Sequence, residues 1–493
     1  MSGKPNVLLI CADQWPSQLL GCTGRPDIET PTIDRLASVG TRFSRAYSET
    51  PICGPARRAL MTGTDARVHG DRTFKPDLPM PPIPTLAGCF RDAGYQTNAV
   101  GKMHVFPVRH RIGFDDVKLS DNGRSAIAHD DFDAYLSEQG HAGEEFLHGM
   151  SNNEYSWRPW HLDERHHNTN WVTREACKTI KRRDPTSPSL WYVSYVAPHP
   201  PLVPLSIYLD LYRHREVLPP LEAKWAAEGQ ELPYPLAVMR AYYDVLPPHR
   251  LADARRAFYA LCTHIDHQIR LLIGTLREEQ LLNDTIICFI SDHGEMLGDY
   301  GLYGKRAMYD NSAAVPLIVV DRKGSDRVPL GAVDTRLAGL QDVMPTLLDL
   351  AGLDIPASCT GESLVRPARR RHLYCEALEG ASAMRMVTDA THKLLWYPTG
   401  NAFQLFDIVN DPQELRDLAH DPASAGKLDD LKALLLSELY GSDLDLVQDG
   451  ELVGSPRPKP PVVDNRALSG QRGLQFPPVK KGNPSAVVAP TAE

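Results

Sequence analysis

The 493-residue chain has no apolar run approaching the ~20 residues that a membrane-spanning helix needs. It has no excess of positive charge. Lys and Arg number 53 against 62 Asp and Glu, a net charge of −9, so nothing electrostatic favours a nucleic-acid partner. It has no paired cysteine spacing. Nine cysteines, an odd count, are scattered singly, which argues against a disulfide framework and for a reduced, cytoplasmic protein. The apolar stretch 7–10 is too short for the core of an export signal and ends at Asp13, so none is expected. There are no internal repeats. The chain does have 42% hydrophobic and 23% charged residues, ordinary for a soluble globular protein, and enough length for more than one domain.

Through the first three-quarters of the chain, short apolar strands alternate with helices, the pattern of an α/β sheet protein. Strands are expected at 7–12, 96–100, 190–196, 285–290 and 315–320. Helices are expected at 30–37, 85–92 and 251–279, the first two closed by Gly40 and Gly94. Residues 120–170 are rich in Asp, Glu, His, Trp and Asn with weak periodicity, and read as long loops and short helices. Four short strands between 373 and 406 and a helix at 425–439 suggest a small α+β subdomain. The expected division is a catalytic unit at 1–370, a C-terminal subdomain at 371–445 and a Pro-rich tail at 446–493.

The residues just past the strand ends carry the chemistry. Asp13-Gln14 comes after one strand, Gly101-Lys102-Met103-His104 after another, Pro198-His199 after a third and Asp292-His293 after a fourth. Ligands of open α/β sheets bind at the carboxyl ends of strands, so these residues suggest one composite site. Asp13, Asp292 and His293, with Gln14 as a fourth, offer ligands to a divalent metal. Oxygen donors suit Ca2+ or Mg2+, and the imidazole moves the balance toward Mn2+. Taken alone, Asp-His after a strand reads more readily as a helix cap.

Cys53 lies in Pro51-Ile52-Cys53-Gly54-Pro55-Ala56-Arg57, with Thr62-Gly63 shortly beyond. Pro55 suits the first turn of a helix, which puts Cys53 at an N-terminus that attracts anions. This stretch closely resembles the type I sulfatase signature, in which the cysteine is converted to formylglycine by a maturation enzyme. Gly94-Tyr95-Gln96-Thr97 leading to Gly101-Lys102-Met103-His104 resembles the family's second signature. His199 and Lys305 resemble, more loosely, its histidine after a buried strand and its second sulfate-binding lysine, with Arg306 a competitor for the lysine role. Asp292-His293 resembles the branch that includes choline sulfatases and phosphonate monoester hydrolases. Gln14 departs from the second Asp of many relatives.

The resemblance implies an alkaline-phosphatase-like, mixed but mainly parallel sheet flanked by helices. It implies one divalent metal, Ca2+ before Mn2+, held by Asp13, Gln14, Asp292, His293 and the side chain at position 53. It also implies that hydrated formylglycine attacks the sulfur of an aryl or alkyl sulfate monoester. Arg57, Lys102 and Lys305 would provide positive field, His199 would protonate the leaving oxygen, and His104 would take the proton that releases sulfate. The nearest alternative is a phosphonate monoester or phosphodiester hydrolase. Others are a phosphomutase-like relative and a non-catalytic anion- or metal-binding protein with unmodified Cys53. Trp157, Trp160 and Trp171 are candidates for a leaving-group pocket. The tail carries Arg457, Lys459, Arg466, Arg472, Lys480, Lys481 and Phe476, and is expected to stabilise a homo-oligomer.

Overall fold

Residues Asn6–Asp13 form strand β1, buried along its whole length. Its side chains alternate between two cores. Leu8, Ile10 and Ala12 pack with helices Asn168–Lys181 and Pro248–Glu278. Val7, Leu9 and Cys11 pack with helices Cys53–Thr62, Leu86–Asp92 and Val343–Leu350. Covering both faces in this way needs an uninterrupted apolar strand, which is why β1 reads as a continuous run. Each such Val, Leu or Ile removed from water stabilises the fold by about 1.5–3 kcal/mol.

This computed structural model describes residues 3–121, 130–150, 153–243 and 246–459. The remaining strands of the main sheet are β2 (Thr41–Tyr47), β3 (Gln96–Gly101), β4 (Asp116–Leu119), β5 (Ser189–Pro198), β6 (Thr285–Ser291), β7 (Leu317–Val320) and β8 (Ala332–Gly339). The eight strands run in the order β4-β3-β5-β1-β6-β7-β2-β8. Only β7 runs against its neighbours, so the sheet is mixed and mainly parallel, as expected. β1 lies centrally between β5 and β6. Its register with β5 breaks near the end, where Cys11 pairs with Ser194 but Asp13 with Pro198. That break falls at the strand ends, where ligand chemistry is expected.

Strands β2, β4 and β8 lie outside the sequence expectations. They mix charges with apolar residues at or toward the edges of the sheet, as in Thr-Arg-Phe-Ser-Arg-Ala-Tyr, and lack the long apolar run of a central strand. The strand expected from 315 begins at Leu317.

The C-terminal region adds β9 (Leu373–Ala377), β10 (Met384–Thr388), β11 (His392–Tyr397) and β12 (Ala402–Asp407), an antiparallel sheet ordered β12-β11-β10-β9. One face packs Val387, Leu394, Trp396 and Leu405 on Leu431 and Leu435 of helix Ala425–Glu438. The other packs Met386, Leu395, Tyr397 and Phe406 with Tyr47 and Tyr309 of the main body. The first part of the tail lies on its own chain: Ser455 donates to the Pro398 carbonyl at 2.9 Å, and Arg457 pairs with Glu231 at 3.3 Å. Phe476 and the basic residues from Arg466 onward lie outside the described residues. No helix among the described residues is long and apolar enough to cross a membrane.

Candidate active site

The carboxyl ends of β1, β3, β5 and β6 converge on the first turn of helix Cys53–Thr62. That helix starts without a side-chain cap on Ile52, which leaves its first N–H groups to an incoming anion. Asp13, Cys53, Asp292 and His293 all meet here, each buried, with one donor atom apiece within 4.8 Å of the others. Cys53 Sγ lies 3.1 Å from His293 Nε2 and 3.6 Å from Asp13 Oδ1. His293 Nε2 is 3.6 Å from an oxygen of both Asp13 and Asp292.

Cations surround this cluster. Lys102, fully buried, donates to Asp13 Oδ2. Its placement needs Gly101, at φ +104°, because a Cβ there would lie 1.9 Å from the Ser194 carbonyl oxygen. Arg57 donates through Nε to Asp292 Oδ2 at 2.9 Å and through Nη1 to Tyr192 and Ser194. Lys305 reaches Gln14 Oε1 at 2.8 Å and His199 Nε2 at 2.6 Å. It is therefore Lys305, not Arg306, that enters the site.

The charges are mutually tuned. Burial and Cys53 would raise the Asp13 carboxyl, but Lys102, His199 and Lys305 hold it well below the usual carboxylate range. Burial also opposes ionisation of Cys53. Lys102, Lys305 and His293, with a hydrogen bond to His104, outweigh it and hold the thiol far below its ordinary value. Burial and the neighbouring Asp13 push Asp292 up. Burial disfavours charge on His293, yet Asp292 and Cys53 raise it above the ordinary histidine value.

Each catalytic and metal-ligand candidate named from the sequence falls in or against this site. Gln14 sits beside the cluster with its backbone N–H on Asp292 Oδ1 at 3.0 Å and its amide oxygen toward Lys305. Three supporting residues are additions from the structure. Tyr192 and Ser194 hold Arg57 from inside β5. Glu295 is buried and accepts from Gln14, from Tyr155 at 2.7 Å and from the Leu297 and Gly304 N–H groups at 2.7 and 2.8 Å. The run Asp292-His293-Gly294-Glu295 is its one sequence signal. Among the tryptophans, Trp171 is not a pocket residue: it is buried in the core with its ring 5.5 Å from Phe132.

A sequence model described as Sulfatase matches residues 5–353. The chain belongs to the sulfatase family. A second model, the C-terminal region of N-sulphoglucosamine sulphohydrolase, matches residues 298–439. An arylsulfatase of Clostridium perfringens is 33% identical, the match spanning 89% of this chain and 95% of the relative. A choline-sulfatase of Rhizobium meliloti is 30% identical over 85% of this chain and 83% of the relative. The crystal structure of a phosphonate monoester hydrolase of Agrobacterium radiobacter superposes with a TM-score of 0.74 at 23% identity, covering 88% of this chain and 95% of that one. At that identity it speaks for the shared fold. The sulfatase is a sulfuric ester hydrolase of the alkaline phosphatase superfamily.

Proposed function

We propose that this sulfatase cleaves aryl or alkyl sulfate monoesters with a formylglycine made from Cys53 by a maturation enzyme, and with one divalent cation, Ca2+ before Mn2+. The convergence of Asp13, Cys53, Asp292 and His293 on one buried point carries the reading. The donor set fits such a cation: two carboxylates share a water-poor space, and their repulsion adds to burial in pushing Asp292 up. Asp13, Asp292 and His293 would hold the ion, with Gln14 and the residue-53 side chain beside them. When present, the ion polarises a sulfate oxygen and the hydrated aldehyde supplies the attacking hydroxyl.

The rest of the work falls to side chains of this chain. Lys102, Lys305 and the uncapped helix N-terminus draw the sulfate ester anion into a site of low dielectric, where such charges act strongly. Arg57 anchors Asp292 through Nε and adds its charge to that field. His199 Nδ1 lies 2.5 Å from the Pro200 carbonyl oxygen, which requires its proton there and leaves Nε2 to accept from Lys305 or, once protonated, to donate. His199 with Lys305 thus delivers the proton to the departing oxygen. His104, hydrogen-bonded to residue 53, takes the proton whose loss frees sulfate.

The catalytic unit is assigned to 1–370, with the subdomain at 371–445 and the tail at 446–493 supporting a homo-oligomer. A reducing, cytoplasmic setting is supported by nine free cysteines. Mass spectrometry of the tryptic peptide containing Cys53 should find the aldehyde or its hydrate in active protein. Turnover should favour aryl and alkyl sulfates over phosphonate esters. Full sulfatase activity in protein carrying only the thiol would overturn the formylglycine assignment.

A further inference from the structure

The loop after the short helix Ala66–His69, which follows helix Cys53–Thr62, brings an aromatic ring back over the first turn of helix Cys53–Thr62. Asp71, buried, shapes the loop by accepting from the N–H groups of Thr73, Phe74 and Lys75 at 3.0, 2.9 and 3.1 Å. Three backbone donors on one carboxylate fix the chain path and hold Phe74 at φ +73°, a left-handed conformation costly for an aromatic residue. The ring lands on Gly54, where an added Cβ would lie 2.8 Å from Phe74 Cδ2. It also meets the His104 imidazole edge to face, with centroids 5.1 Å apart and planes at 68°. His104 is itself left-handed at φ +55° and is anchored by its own N–H on Asp121 Oδ1 at 3.1 Å. Two strained residues thus face each other beside the nucleophile. Strain of that kind persists only where the surroundings over-determine it.

We propose that Phe74 is a positioning residue: it holds the His104 imidazole edge-on toward residue 53 and covers the Gly54 side of the nucleophile against water. The edge-to-face contact restricts the imidazole to one tilt, and the ring closes the approach to residue 53 over a glycine that has no side chain of its own to do so. Gly54 is then explained as well, since any side chain at that position would displace the ring. The functional part of this rests on the role given to His104 above. The covering part does not.

Two measurements on Phe74→Ala and Phe74→Tyr separate the parts. The first uses chain produced without the maturation enzyme, so that Cys53 remains a thiol, and tracks its alkylation by iodoacetamide using peptide mass spectrometry. Phe74→Ala should alkylate Cys53 at least tenfold faster than wild type, and Phe74→Tyr within about threefold of it. The second uses protein with matched formylglycine content, confirmed by mass. Phe74→Ala should lower kcat at least tenfold with KM changed less than threefold, and Phe74→Tyr should restore most of kcat. Melting temperatures identify any variant that has merely lost its fold, in which case Phe74→Leu takes the place of Phe74→Ala. Alkylation within twofold of wild type in a folded Phe74→Ala variant overturns the covering role. Faster alkylation with kcat unchanged overturns the positioning role through His104. Faster alkylation with kcat lowered supports both.

Discussion

Lys305 Nζ lies 2.6 Å from His199 Nε2, so the two groups that can protonate a leaving alcohol are in direct contact. With Nδ1 committed to the Pro200 carbonyl, the imidazole can hand over a proton only from the nitrogen that faces Lys305. Such assistance matters most when the departing oxygen is strongly basic. His199→Ala should therefore lose roughly 10²–10⁴-fold in kcat on an alkyl sulfate and much less on a nitrophenyl sulfate. The check is the slope of log kcat against leaving-group pKa, which should steepen in the variant. An equal loss on every ester would remove His199 from the proton path.

Asp292 accepts from Arg57 Nε and from the Gln14 N–H, and also neighbours Asp13, Cys53 and His293. In Asp292→Asn the neutral amide keeps the shape but removes a charge the cation needs. Elemental analysis should show less than one metal per chain, with turnover falling in parallel. Chelation of the wild-type protein should lower its melting temperature, because a ligand held only by the folded state stabilises it by about 2.7 kcal/mol at a hundred times its Kd. Full metal content in Asp292→Asn would move the site elsewhere.

The central strands and their terminal residues are legible in the sequence because a strand buried on both faces must be a continuous apolar run. Polar residues that end such a run, like Asp13 and Asp292, stand out. The edges are not legible. In β8 exposed and half-buried positions alternate through Asp334 and Arg336, and only its last residues are buried, so no run marks it. The supports of the site are hidden for another reason. Tyr192 and Ser194 sit inside an apolar strand where their hydroxyls look incidental, and only the fold shows that Arg57 crosses to them. Phe74 depends on a loop set by Asp71, a contact with no periodicity to reveal it.

Glu49 gives the pH dependence a definite sign. It is buried against Gly339 and accepts from the N–H groups of Leu340 and Gln341, each at 3.2 Å. Burial, together with the nearby Asp342, pushes its carboxyl up to about 8. In the unfolded chain it ionises near its ordinary value of 4.5. Between those values the folded state binds more protons than the unfolded one, so this residue makes stability fall as pH rises. Glu49→Gln removes the titration; it also loses one of the two acceptor oxygens, since Leu340 and Gln341 bond different ones, but that cost is the same at every pH. Its melting temperature relative to wild type should therefore climb from pH 5 to pH 8. A constant difference across that range would show that Glu49 keeps an ordinary pKa.

Asp443 ties the C-terminal subdomain to the loop that carries Phe74. It accepts from Arg385 Nε and Nη2, each at 2.7 Å, and from Arg72 Nη1 at 2.7 Å. Arg72 continues to Glu376 and Glu379, each at 2.9 Å, and stacks on Tyr440. Both guanidiniums are largely withdrawn from water, with side-chain exposures of 0% for Arg385 and 6% for Arg72. Removing the carboxylate would leave two buried cations short of their counter-charge, which costs far more than a surface pair would. Asp443→Ala should thus destabilise by about 3–5 kcal/mol by urea denaturation. Because Arg72 lies two residues before Phe74, the damage should spread to the site. At temperatures where Asp443→Ala is still folded, Cys53 in unconverted protein should alkylate faster than in wild type. A stability loss below about 1 kcal/mol, the range of exposed ion pairs, would mean that solvent already reaches the network.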